Sequence, residues 1–117
     1  MRTETRLTQR NMVTSASIDG IVVKVNGEEQ FRTWAGIVTA NAAIVEQGGA
    51  TRFIVALFFD DDSAFVVRET EPPWASVIEH IEASLPGIEP FSSWGPRLLA
   101  EPTVLVLFDR EGQNGFQ

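Results

Sequence analysis

The sequence has no cysteine, no tyrosine, a single lysine, Lys24, and a single histidine, His80. Without thiols there is no disulfide scaffold, no thiolate zinc site, no iron–sulfur cluster and no cysteine nucleophile, and the composition favours a reducing, cytoplasmic setting. One histidine excludes a metal centre built on two imidazoles. Positive charge is scarce as well: 9 basic residues stand against 16 acidic ones, for a net charge of −7. A surface that neutralises phosphates needs clustered Lys and Arg, so neither nucleic acid nor an anionic membrane is an expected partner. No stretch approaches the roughly 18 apolar residues of a membrane span, and the opening MRTETRLTQR lacks the apolar run of a signal peptide. Nothing signals a cofactor. The pair Gly48-Gly49 has no lysine after it and leads toward a strand rather than a helix, and no G-x-S-x-G elbow is present.

What remains is 117 residues, 44% of them hydrophobic, enough for one packed core and too few for two. The expected division is an N-terminal tail over 1–11, a single domain over 12–111 and a C-terminal tail over 112–117. The first tail carries Arg2, Arg6 and Arg10 against Glu4. It reads as a solvated terminus, or as an arm that docks on an acidic face of a second copy.

Turn chemistry organises the first third. Asp19-Gly20 and Asn26-Gly27 suit the positive dihedrals of two-residue hairpin turns, so Val13–Ile18, Ile21–Val25 and Glu28–Trp34 read as a three-stranded meander. In the middle strand Ile21, Val23 and Val25 share one face. From Trp34 the spacing fits either a helix or a bent strand. Gly36 favours a kink at Ala35-Gly36 followed by a strand over Ile37–Glu46. Gly48-Gly49 then turns into Phe53–Phe59, an unbroken apolar run expected to be buried on both faces. The acidic triplet Asp60-Asp61-Asp62 leads back into Ala64–Arg68.

Pro72-Pro73 suits a helix start. Trp74, Val77, Ile78, Ile81 and Leu85 follow at helical spacing and form one apolar stripe, ended by Leu85-Pro86-Gly87. The segment Ile88–Pro102 carries three prolines and is expected to be irregular, with at most one helical turn. Thr103–Asp109 reads as an interior strand. The fold class is therefore α+β: one strongly curved antiparallel sheet or partly open barrel of six to seven strands, covered by one amphipathic helix.

Few residues could carry chemistry. Glu69 and Glu71 precede the helix, where negative charge favours the N-terminal dipole, and with His80 they could form a small carboxylate site. Asp60, Asp61 and Asp62 could hold a hard cation, but Phe65 stands where an EF-hand loop needs glycine, so a solvated hairpin tip is the simpler reading. Trp34, Trp74 and Trp94 each lie where the chain changes direction. They read first as core anchors and second as lining of a partner or ligand groove.

The segments I-D-G-I-V-V at 18–23, W-A-G-I-V at 34–38, L-F-F-D-D at 57–61, S-L-P-G-I-E at 84–89 and V-L-V-L-F-D-R at 104–110 together resemble a group of small acidic bacterial proteins of unassigned function. Those proteins share a W-x-x-I/V step and a helix closing on L-P-G. The strand order also looks like bacterial pleckstrin-homology-like folds. That resemblance implies a bent sheet with one covering helix and implies no activity. Together these readings make a non-catalytic binding or protein-interaction module the leading expectation, acting on a protein partner or as a homodimer. A carboxylate-based enzyme or ligand carrier, and a structural subunit of an assembly, are the alternatives.

Overall fold

The computed structural model describes residues 11–110; the two tails expected at the ends of the chain lie outside the described residues, apart from Asn11, which opens the first strand. Seven strands and two helices follow in the order β1 (Asn11–Ser17), β2 (Gly20–Val25), β3 (Glu28–Thr33), a 3-10 turn at Trp34–Gly36, β4 (Ile37–Gln47), β5 (Ala50–Phe59), β6 (Ala64–Arg68), α1 (Trp74–Ser84), α2 (Phe91–Ala100) and β7 (Leu105–Asp109). The strands form two antiparallel sheets rather than one, in the orders β1-β2-β3 and β6-β5-β4-β7. The sheets do not close into a barrel.

The first sheet is the expected meander with one change of turn. Asn26 and Gly27, at φ 55° and 86°, make the two-residue connection between β2 and β3. Between β1 and β2, however, the turn residues are Ile18 and Asp19, and Gly20 already pairs with Ser17 and Thr33 inside the sheet. Gly20 is there for closeness: a Cβ on it would stand 2.1 Å from the carbonyl oxygen of Arg32. At Trp34–Gly36 the bent-strand reading holds, since the 3-10 turn redirects the chain into the long strand β4.

One core joins the two sheets. Ile21 and Val23 of β2, Val55, Leu57 and Phe59 of β5, and Phe65 and Val67 of β6 meet Val77, Ile78 and Ile81 of α1, which is the stripe anticipated from spacing. The run Phe53–Phe59 is not buried on both sides. Phe53, Val55, Leu57 and Phe59 face the core, whereas Ile54 and Ala56 are only partly covered and Phe58 is exposed.

Two further expectations are corrected. The stretch after Gly87 is a ten-residue helix, α2, with Pro96 inside it. Trp94 and Leu98 are fully buried on its inner face with Phe91 packed beside them, and this burial outweighs the hydrogen bond that Pro96 cannot make. Its free amino end is held from outside: the backbone N–H of Phe91 donates to Oε2 of Glu82 on α1 at 2.7 Å. A second helix therefore joins the first over the core. Strand β7 is an edge strand, beside β4 alone, and a register shift that skips Leu107 turns Phe108 to the core while Val106, two residues earlier, is exposed. Its end is tied to the 3-10 turn by the Arg110 guanidinium, which donates to the carbonyls of Ala35 and Ile37.

Candidate functional site

The larger of two openings described below lies along α2. Its inner residues meet Phe53 in an aromatic cluster of edge-to-face pairs: Phe53–Phe91 at 5.1 Å, Phe91–Trp94 at 4.8 Å and Trp74–Phe91 at 6.1 Å between centroids. Such pairs contribute about 0.5–1.5 kcal/mol each beyond their area and hold the rings at fixed angles. The Phe91 ring lies close against the helix backbone because position 95 has no side chain: a Cβ on Gly95 would meet Phe91 Cε1 at 3.0 Å. Above the ring this leaves an open groove of about 470 Å³, lined by Phe53, Phe91, Ser92, Gly95, Pro96 and Leu99. Leu99 is 52% exposed at its edge. The Ser92 side chain brings the one hydroxyl among these six, so the groove suits apolar groups rather than a polar ligand that must be oriented.

The tryptophans divide between core and groove support. Trp34 is buried and donates its Nε1–H to the carbonyl of Ser17 at 2.9 Å, which fixes the corner after β3. Trp94 is buried beneath the groove, and Trp74, partly buried, buttresses Phe91 from α1. None of the three lines the groove itself; Phe53, Phe91 and Leu99 do. Sequence reasoning passed over Gly95 and Leu99 because Pro96 masked the helix that aligns them.

The acidic candidates serve the backbone. Glu69 Oε1 accepts from the N–H of Phe53, and Glu71 Oε1 accepts from the N–H of Arg68, with the Arg68 guanidinium 3.7 Å from its other oxygen. Neither lies in the first turn of α1, so they hold the crossing from β6 to the helix instead of complementing its dipole. A smaller cleft of about 220 Å³ beside this crossing is lined by Met12, Val13, Thr14, Glu71, Pro72 and Pro73. Neither Glu69 nor His80 lines it, and among the described residues no hydrogen bond joins His80 to either glutamate.

At the tip between β5 and β6, Asp61 is fully engaged. Its Oδ1 accepts from the N–H and the hydroxyl of Ser63, at 3.1 and 2.5 Å, and its Oδ2 accepts from Arg32 Nη2 at 2.8 Å. The Ser63 hydroxyl first, then the Ser63 amide and Arg32, lower its pKa from 3.8 to about 2. Asp62 turns the chain at φ 70°. Among the described residues no group of three His, Asp or Glu side chains is placed to hold a metal ion. No described helix is long and apolar enough to cross a membrane. Comparison with protein-family models, with curated proteins and with solved structures gives no match for this chain.

Proposed function

We propose that the chain is a non-catalytic interaction module that receives an apolar segment of a basic protein partner in the groove along α2. The observation that carries this reading is the groove itself. It is an apolar trough with aromatic rings locked beneath it, Gly95 keeping its floor low and Leu99 standing half-exposed at its rim. Apolar anchors set in preformed pockets supply most of the energy of protein recognition. The net charge of −7 favours a partner of opposite sign and speeds encounter with it. The glutamates nearest a candidate catalytic arrangement are bound to backbone amides, which supports binding over catalysis.

A photo-crosslinking residue introduced at Leu99, in cells of the native source, tests the reading. The expected result is one basic protein captured at near-stoichiometric yield from position 99. It should not be captured from Glu79 on the exposed side of α1, and Leu99→Glu should abolish its binding without changing the melting temperature. A partner captured equally well from both positions, or binding that survives Leu99→Glu, would overturn it.

A further inference from the structure

The second large apolar surface is the outer face of the four-stranded sheet. Along β5 the residues Ile54, Ala56 and Phe58 point away from the core, and the strand register places Val66 of β6 and Asn41 of β4 on either side of Ala56, with Val106 of β7 beyond Asn41. Both helices and the other sheet bury their apolar residues on the opposite side, and none of these six side chains belongs to the core. Phe58 is 38% and Val106 57% exposed. Contiguous apolar surface of this kind marks an interaction site.

Its charges are arranged asymmetrically along the strands. Arg52 lies four residues before Ala56 on the same face, and Arg68 pairs with Ile54 at that same end. Asp60, four residues after Ala56, begins the acidic turn at the other end. A surface with a basic end, an apolar middle and an acidic end complements a copy of itself turned end for end.

We propose that two copies of this chain dimerise face to face through this sheet, about a two-fold axis running across the strands along the row Val106–Asn41–Ala56–Val66. Such a rotation reverses strand direction while keeping strand order, so β5 lies over β5. Each residue a given number of steps before Ala56 then meets the residue the same number of steps after it. Ile54 meets the partner's Phe58, and Arg52 meets the partner's Asp60 across the roughly 10 Å between packed sheets, within reach of an arginine side chain. Asn41 falls on the axis opposite its own copy. Its Oδ1 is shielded from water and has no hydrogen-bond partner among the described residues, an unfavourable state for a buried acceptor. A turn of the carboxamide toward the axis pairs the two Asn41 side chains, each donating Nδ2–H to the other's Oδ1.

The area sets the expected strength. The four strands hold 11, 10, 5 and 5 residues, and at about 3.3 Å along and 4.8 Å across each residue they give a planar footprint of roughly 490 Å² a side. The two copies together cover about 1,000 Å², at the lower bound of specific interfaces. So small an interface makes a weak, concentration-dependent dimer the expected form.

Sedimentation equilibrium and light scattering on the full chain test this, at about 0.15 M salt so that the repulsion between two chains of charge −7 is screened beyond about 8 Å. The expected result is a monomer–dimer equilibrium that Ala56→Arg weakens at least about tenfold, with the circular dichroism spectrum unchanged because the side chain points outward. Val106→Lys, at the more exposed end of the row, is the second variant should Ala56→Arg disturb folding. Arg52→Asp and Asp60→Arg should each weaken the dimer by about three- to tenfold, and the double variant should recover most of the loss. Leu99→Glu should leave the dimer intact, which separates this surface from the groove. A chain that stays monomeric at several hundred micromolar, a dimer indifferent to both Ala56→Arg and Val106→Lys, or charge reversals that do not rescue each other would each overturn the proposal. So would binding of a different protein to this face by a chain that is itself monomeric.

Discussion

Arg32 and Asp61 bind the two sheets to each other: Nη2 of the arginine, on β3, donates to Oδ2 of the aspartate in the β5–β6 turn at 2.8 Å, and to the Ser63 hydroxyl at 3.0 Å. The guanidinium carbon lies 4.9 Å from the centroid of Phe59 and 5.6 Å from that of Phe65, so the same side chain covers the open end of the core. Its stem is packed while its head stays hydrogen-bonded, an arrangement a lysine would not reproduce. The hairpin tip, acidic enough in sequence to suggest a cation site, is in this structure the acceptor for an arginine from the other sheet.

That arrangement sets a pH dependence. Because the folded-state pKa of Asp61 is lowered to about 2 from 3.8, its contribution to stability is complete above about pH 4 and disappears as the pH falls toward 2. A carboxyl-carbon NMR titration should find Asp61 ionised well below pH 3. Ser63→Ala should raise its pKa by removing the largest single interaction while the amide at position 63 still donates, and Arg32→Ala should raise it by removing a hydrogen bond together with a charge. An Asp61 that titrates near 4 in the native chain would show that the Ser63 and Arg32 contacts do not persist in solution.

The fold was legible wherever local chemistry and burial agree. Asn26-Gly27, Gly48-Gly49 and the stripe from Trp74 to Leu85 each specify a turn or a face without reference to distant residues, and each is found in place. Legibility failed where a distant contact decides. Phe91, Trp94 and Leu98 carry helical spacing, but Pro96 argues against a helix, and only burial against Phe53 together with the Glu82 carboxylate at its start settles the outcome. Gly20 reads as a turn glycine until β3 is seen to press against it. The apolar continuity of Phe53–Phe59 suggested burial on both faces and that of 104–108 an interior strand, because an uncovered sheet face and a buried one look alike in sequence. The groove was illegible for the same reason as α2, since its lining residues align only once the helix exists.

Glu82 predicts a measurable effect from a residue with no part in the core. Its carboxylate takes the first amide of α2, where the helix dipole also favours negative charge. Glu82→Ala should cost about 1 kcal/mol in chemical denaturation and should speed amide exchange at Phe91 and Ser92 before it affects α1. Glu82→Gln should recover part of the loss, because an amide oxygen still accepts while the charge is gone. Equal exchange rates in Glu82→Ala and the native chain would show that α2 does not depend on this contact.

Ile81 lies 1% exposed at the centre of the α1 stripe. Ile81→Asp places a carboxylate with no partner inside the buried core, and the several kcal/mol this costs approaches the whole stability expected of a domain of this size. Loss of the cooperative thermal transition is the expected outcome. A variant with a native melting temperature would contradict the packing of α1 on the sheets.

Gly20→Ala is the substitution with the largest expected effect per atom added. An ideal Cβ would stand 2.1 Å from the Arg32 carbonyl oxygen and 2.9 Å from the Phe31 ring, and the first of these is backbone that cannot swing aside. Relief requires β3 to move off β2, which breaks the Gly20–Thr33 and Ile21–Arg32 pairs and draws Arg32 away from Asp61 and from the rings of Phe59 and Phe65. The loss should therefore be at least about 2 kcal/mol, outside the range of ordinary surface changes. It should be accompanied by a rise in the Asp61 pKa, as one of its three main partners withdraws. Gly27→Ala in the neighbouring turn meets no atom within 4 Å and serves as the control: its cost comes from the dihedral of φ 86° alone and should be about 1 kcal/mol with the Asp61 titration unchanged. If Gly20→Ala lowered stability without moving Asp61, the strain would be absorbed inside the first sheet, and the arginine bridge would not be coupled to the β2–β3 pairing.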